Sequence, residues 1–463
     1  HLSLQRCLLT RCGRTEKCRP PRPAEPVENM SLSPLAIFGG TPVCREAWPS
    51  SNTIGKEEKK AVLEVLDSGV LSQFLGAPGP DFLGGTRVRQ LEMEWAEHFG
   101  TKHALSFNSL TSGLQACIGA AGIEPGDEVI VPPLTMSASA TCVITYGGIP
   151  VFADVDPRTL CLDPVSVEEK ITDRTRAIVV VHLFGHPADM DGLMAVARRH
   201  GLMVIEDAAQ APGAMYGGRP VGTIGELGGF SLNYHKTIQS GEGGVIVTND
   251  DDLAQRLSLI RNHGEMVVES LEVENLANTF GGNLRMTEIE AAIALEQLRK
   301  LEVSTRPRID LASYLDERIV RFHGIEPQGL SAPEGSSHVY YFYAMFYDEE
   351  EIGLPRSLFA EAVRAEGIHL REWYAPPVYW APMYRDQVAF GKSGFPFVSE
   401  YTDREFSYKR GICPVAEEAY EQNLIFGKFC HWPLTTEHMD QVVEAMGKVL
   451  AHRDDLLTVE QRG

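Results

Sequence analysis

The sequence predicts an α/β protein: a mostly parallel sheet covered by helices, followed by a smaller α+β unit. Helical and strand patterns alternate from about residue 51 to about residue 206 in repeats of β-α-β length, which is how a parallel sheet is built. The strand segments are short and apolar, as in sheets buried on both faces; the longest such run is only Ala177 to Phe184. Beyond about residue 305 the alternation gives way to helices around one aromatic strand.

The elements follow in order. Lys56–Ser68 carries apolar residues at helical spacing (Ala61, Val62, Val65, Leu66) and stops at Gly69. Val88–Phe99 repeats the pattern and ends at Gly100. His103–Phe107 reads as a strand and Thr111–Ala121 as a helix opening on small hydroxyl residues. Strand Glu128–Val131, helix Ser137–Tyr146 and strand Val151–Asp154 come next. Strand Ile178–Leu183, helix Asp191–His200 and strand Met203–Glu206 continue the series. Thr287–Leu301 is a long amphipathic helix. His338–Phe346 is a strand, and Arg356–Glu366 and Thr436–Leu450 are helices. In sheets of this kind ligands sit beyond the carboxyl ends of the strands, so short polar loops there are the places to look for chemistry.

Composition narrows the function. The 463 residues are 43% hydrophobic and 23% charged, enough apolar material for two or three packed domains. Lys+Arg number 42 against 63 Asp+Glu, a net charge of −21, which argues against a nucleic-acid or membrane-surface binder. No apolar run approaches the roughly 20 residues of a membrane span. The nine cysteines show neither a CxxC pair nor zinc spacing, so a metal site is not expected, and their odd number suits a reducing cytoplasm. Residues 1–30 differ from the rest: basic, Cys-rich, Pro-rich at the end, and without the apolar core of a secretory signal. They read as a leader outside the fold, of vector or upstream origin.

Three segments stand out. Gly228-Gly-Phe-Ser-Leu-Asn-Tyr-His-Lys-Thr-Ile-Gln-Ser-Gly-Glu-Gly-Gly244 sets Ser231 five residues before Lys236 and a glycine turn after it. Val204-Ile-Glu-Asp-Ala-Ala-Gln210 ends a strand in Asp207, with Gln210 three positions on. Phe107-Asn-Ser-Leu-Thr-Ser-Gly113 turns a strand into a helix start. Singly, each has an ordinary explanation as a surface charge, a turn residue or a helix cap.

In this order the segments resemble the DegT/DnrJ/EryC/StrS sugar and aminocyclitol aminotransferases, which are fold-type-I pyridoxal-phosphate enzymes. Leu35-Ala-Ile-Phe-Gly-Gly-Thr-Pro42, Glu128-Val-Ile-Val-Pro-Pro133, Pro150-Val-Phe-Ala-Asp-Val-Asp156, Pro187-Ala-Asp-Met-Asp191 and Gly282-Asn-Leu-Arg-Met-Thr-Glu288 extend the likeness across the body. With the leader at 1–30 set apart by composition and a boundary near residue 305 by element pattern, the expected plan is a large cofactor-binding domain with an N-terminal arm at 31–305 and a small C-terminal domain at 306–463.

It also implies roles. Lys236 stands where the family's lysine forms the Schiff base with pyridoxal 5'-phosphate and later moves the substrate proton. Asp207 matches the carboxylate that keeps the pyridine nitrogen protonated, and Gln210 the partner of the ring oxygen. Thr111, Ser112 and Ser231 match phosphate contacts, which suit hydroxyls at a helix start. Asn283 matches a residue that reaches the neighbouring subunit's phosphate, implying a homodimer with shared sites. Met136 stands where the family has an aromatic residue over the ring, giving a softer sulfur contact.

His182 and His186, on a strand end facing the site in the family pattern, are candidate substrate contacts. So is Arg371, a candidate partner for a donor carboxylate with a surface ion pair as the alternative, and so is Tyr374 in the aromatic loop after it. Dehydratase relatives carry His at the lysine position; here His235 lies beside Lys236, so dehydration is not expected. Glu242 reads as a turn residue. The expected activity moves an amino group from Glu or Gln to a keto sugar or keto-cyclitol. Elimination or carbon–carbon chemistry with the same cofactor, or a non-catalytic regulator, are the alternatives.

Overall fold

A computed structural model describes residues 33–330 and 332–460; the leader assigned to residues 1–30 lies outside them. Twelve strands are present among the described residues: β1 (His103–Phe107), β2 (Glu128–Val131), β3 (Ile149–Phe152), β4 (Thr175–Val181), β5 (Met203–Asp207), β6 (Met215–Tyr216), β7 (Arg219–Pro220), β8 (Leu227–Ser231), β9 (Gly244–Thr248), β10 (Ile325–Pro327), β11 (Tyr343–Tyr347) and β12 (Leu424–Gly427). Seven form one sheet in the order β1-β9-β8-β5-β4-β2-β3. Pairs β2–β3, β2–β4, β4–β5 and β5–β8 are parallel, and β9 runs antiparallel to both β1 and β8. Residues 177–181 of β4, and all of β8 and β9, are buried, as expected of strands covered on both faces. The expectation of a mostly parallel sheet covered by helices holds.

Several boundaries move by tertiary contact. The predicted helices Lys56–Ser68 and strands His103–Phe107 and Glu128–Val131 have those bounds. The strand placed at Val151–Asp154 is Ile149–Phe152, because its register with β2 pairs Glu128 with Ile149. The strand placed at His338–Phe346 begins only at Tyr343, since Tyr340 takes a left-handed conformation (φ 49) that a ladder cannot continue.

The boundary placed near residue 305 falls inside helix Leu301–Ile319. Its start packs on the main core and its later turns, from Leu311, on a second core. That second core surrounds the sheet β10-β11-β12 and helices Arg356–Ala365 and Thr436–Ala451. It also takes Leu35 and Cys44 from the arm assigned to the large domain. The Glu366 carboxylate accepts hydrogen bonds from the half-buried Ala36 and Val43 N–H groups and pairs with Lys448 at 2.9 Å in the interior. Removing one partner of such a buried pair costs about 3–5 kcal/mol, so the arm is clamped to the small unit. Conversely, Val378, Tyr379, Tyr384, Phe397 and Tyr408 pack into the main core. The chain thus crosses between its two cores more often than a single cut describes.

Candidate active site

At the carboxyl end of β5 and β8 a cavity of about 160 Å³ opens, and residues from all three singled-out segments line it: Ser109 and Thr111, Asp207, and Ser231 with Lys236. The local chemistry explains the convergence. Helix Leu110–Ala120 starts at the cavity because Ser109 caps it, accepting from Ser112 N–H at 3.2 Å. The first N–H groups of such a helix lack intrahelical acceptors and form a ready anion site. The glycine turn fits against that start. A Cβ on Gly244 would stand 2.5 Å from the Leu110 nitrogen, and Gly243 has a φ of 142 that other residues rarely adopt.

Asp207 ends β5 and is buried. Its carboxylate accepts from the Ser139 hydroxyl at 2.7 Å and from Ala209 N–H at 3.0 Å, which fixes its orientation. Lys236 lies in the loop joining β8 to β9. Burial draws its pKa down to about 8; Asp207 opposes that shift and Lys428 adds to it. Its Nζ makes no ion pair among the described residues and stands 5.0 Å from the centroid of the Tyr341 ring. An amine with a lowered pKa and no ion pair is a usable nucleophile near neutral pH. Asn233 donates through Nδ2 to both Glu242 oxygens at 2.9 and 3.0 Å, bracing the same loop. Glu242 therefore ties the turn together, as its position suggested.

Other expected residues fall out differently. Ser112 turns inward: its hydroxyl donates to Asn108 Oδ1 at 2.5 Å, and the cap residue Ser109 faces the cavity in its place. Sequence order hid this because the N-cap, three residues before Ser112, is identifiable only once the helix start is known. Met136 lines the cavity and is exposed. Gln210 accepts from Phe184 N–H at 2.7 Å and donates to the Tyr374 hydroxyl at 3.1 Å. It thereby steadies Phe184, whose φ of 59 is left-handed, and ties Tyr374 to the loop after β5; neither Gln210 nor Tyr374 lines the cavity itself. Asn283 is exposed and does not line the cavity of its own chain.

The two histidines do not reach the cavity, contrary to expectation. His182 Nδ1 accepts from Ala188 N–H at 3.1 Å and its Nε2 donates to Glu206 at 2.9 Å, with both side chains fully buried. His186 Nδ1 and Nε2 lie 2.7 and 2.6 Å from the carbonyl oxygens of Pro187 and Gly329. Both rings are buried among protein groups and neither lines the cavity, so neither faces a substrate there. Arg371 is exposed and its side chain has no partner among the described residues.

The donor set fits pyridoxal phosphate. A helix start with hydroxyls, an oriented buried carboxylate and an unpaired amine face one space, and no group of three or more His, Cys, Asp or Glu that could hold a metal occurs among the described residues. Comparison with known proteins agrees. The model of the DegT/DnrJ/EryC1/StrS aminotransferase family matches residues 52–407. An L-glutamine:2-deoxy-scyllo-inosose aminotransferase of Streptoalloteichus tenebrarius is 35% identical over 435 residues, covering 91% of this chain and 99% of that protein. The aminotransferase from Psychrobacter cryohalolentis superposes with a TM-score of 0.75 at 31% identity, over 88% of this chain and 99% of its own. A GDP-4-keto-6-deoxymannose-3-dehydratase with a trapped PLP-glutamate geminal diamine gives a TM-score of 0.70 at 26% identity, over 87% of this chain and 100% of its own.

Proposed function

The chain belongs to the DegT/DnrJ/EryC1/StrS aminotransferase family, and from that premise we propose that it moves the α-amino group of glutamine to a keto-cyclitol, a neutral polyhydroxylated ring ketone. It is a pyridoxal-phosphate-dependent aminotransferase; the bound cofactor supplies the electron sink that makes the donor's Cα–H acidic. The single observation that carries the residue assignment is the unpaired Lys236 amine sharing one cavity with the oriented Asp207 carboxylate.

Each protein group then has a task. Lys236 is the point of attachment, and once released its amine takes the proton from the donor Cα. Asp207, held by Ser139 and Ala209, keeps a proton on the pyridine nitrogen by offering it a negative charge. Ser109, Thr111 and the helix start hold the phosphate, with Ser231 beside them. Gln210 keeps a second N–H that would serve the ring oxygen, and Met136, which lines the cavity, would contact the ring. The dehydratase neighbour does not shift this reading, since Lys236 occupies the lysine position and His235 stands beside it.

The working unit in this proposal is a homodimer, supported by Asn283, which is exposed on its own chain yet matches a family position that reaches a partner's phosphate. A cytoplasmic setting is supported by the six described cysteines, all free and buried. No helix among the described residues is long and apolar enough to cross a membrane. The test uses the loaded enzyme. Glutamine alone should bleach the cofactor's visible absorbance, and a scyllo-inosose-type ketone should restore it. Restoration by a nucleotide-linked keto sugar and not by the cyclitol would overturn the acceptor assignment.

A further inference from the structure

Beside the reacting loop, and separate from the cofactor cavity, lies a second cavity of about 170 Å³. Four parts of the chain meet there: residues 51–53 ahead of helix Lys56–Ser68, Thr237 directly after Lys236, one face of the stretch from Lys300 to Arg308, and Trp432. No residue lines both cavities. On the helical face Lys300, Ser304 and Arg308 recur every four residues, a spacing that puts side chains on the same side of a helix.

The lining is rich in donors and holds no carboxylate. Arg308 is 4% exposed, and its Nη1 donates to the carbonyl oxygens of Tyr340 at 3.1 Å and Cys430 at 3.5 Å. Its Nε and Nη2, the other edge of the guanidinium fork, have no partner among the described residues. Burial lowers the Arg308 pKa to about 10, and no carboxylate is among the groups that act on it. Thr237 is 2% exposed and its hydroxyl is likewise unpartnered. The Ser304 hydroxyl makes no hydrogen bond among the described residues. The nearby carboxylates are engaged elsewhere: Lys300 holds Glu58 at 2.6 Å and Glu57 at 3.3 Å.

A buried guanidinium without a counter-charge and a buried hydroxyl without an acceptor are both unfavourable. One guest relieves both if it carries negative charge and accepts hydrogen bonds from several chain segments at once. A planar carboxylate has two oxygens, enough for the free edge of Arg308. A phosphate has oxygens to spare for Thr237 and Ser304 as well. Val303 and Trp432, both exposed, border the remaining space and leave room for a small ester group.

We propose that this cavity is a second oxyanion site, distinct from the helix start that serves the cofactor, and that it takes inorganic phosphate or the phosphate of a small monoester between Arg308, Thr237 and Ser304. Its occupant steadies the reacting loop, because Thr237 is bonded directly to Lys236. Arg308, anchored by main-chain oxygens through Nη1, presents its free edge without having to move.

The test uses cofactor-saturated enzyme in phosphate-free buffer, so that the cofactor's own phosphate place is filled. Calorimetric titration with inorganic phosphate should show one saturable site per chain, and glycerol 3-phosphate should compete for it; the tighter of the two tells free phosphate from an ester as the source. Thr237→Val and Ser304→Ala should each weaken phosphate binding by about three- to tenfold, and Arg308→Gln by about tenfold or more, with cofactor content unchanged. Amide exchange of residues 232–240 should slow on phosphate saturation in wild-type protein and not in Arg308→Gln. If Arg308→Gln does not fold, the two hydroxyl variants carry the test. Wild-type protein without saturable phosphate binding overturns the site, as do Thr237→Val and Ser304→Ala proteins that both bind within twofold of wild type. Saturation that leaves amide exchange unchanged overturns the link to the reacting loop.

Discussion

Two walls meet at Lys236: the cavity lining, built on a sheet, and the surroundings of Tyr341, built from loops. Ser109, Thr111, Asp207 and Ser231 sit at strand ends or a helix start on the seven-stranded sheet, and Lys236 lies in a loop braced by the Asn233–Glu242 pair. Beside Lys236, Tyr341, Arg371 and Lys428 come from connections around the three-stranded sheet, and Tyr374 from an aromatic stretch tied down through Gln210. The first wall inherits its geometry from a ladder of main-chain hydrogen bonds. The second depends on side chains that are partly exposed and on cations without an ion-pair partner among the described residues. The difference suggests a division of labour: rigid parts for the cofactor common to a family, adjustable parts for the substrate that differs between members.

Breaking the sheet wall should have the largest effect. Lys236→Ala should abolish turnover while cofactor still binds through its phosphate, and borohydride reduction of the wild-type enzyme followed by peptide mass analysis should find the cofactor on Lys236. The rival is Lys428, whose pKa is also drawn to about 8; a tag there would exchange the roles of the two walls.

Asp207→Asn should be next. The amide cannot favour a protonated pyridine, and a loss of about 3–4 kcal/mol, two to three orders of magnitude in the glutamine half-reaction, is expected. Asp207 also raises the Lys236 pKa against burial. Removing its charge should let the Lys236 amine titrate below its value of about 8, moving the rising limb of the pH profile to lower pH. A half-reaction at wild-type speed with an unmoved profile would take Asp207 out of the mechanism.

The smallest change is at the seam between the walls. Met136→Phe should be tolerated and should tighten cofactor binding by about 0.5–1.5 kcal/mol through stacking. A fall in melting temperature together with loss of cofactor would mean that Met136 serves packing instead.

Legibility followed the same division. Asp207 and Ser231 could be placed because each is covalently close to a strand end, and β-strand periodicity says where strands end. Ser112 does not line the cavity although Ser109 and Thr111 do: the three hydroxyls are alike in sequence, and only the start of the helix decides which of them faces in. The two histidines lie off the cavity for a related reason. A His on a strand end faces either way, and Glu206, one residue from Asp207 and so on the opposite face of β5, captured His182.

By itself, then, the chain determined what is local in it. The alternation of strand and helix, the glycine turn beside Lys236 and the carboxylate at the end of β5 all follow from side-chain period and backbone sterics over a few residues. Tertiary structure alone decided what joins distant parts: the N-terminal arm bound to Glu366, residues 378–408 returned to the main core, and Lys428, Arg371 and Arg308 brought around Tyr341. These depend on which buried polar groups find partners when the two cores close. That outcome is a property of the whole packed chain, because a cation in sequence carries no mark of whether a carboxylate will be folded against it.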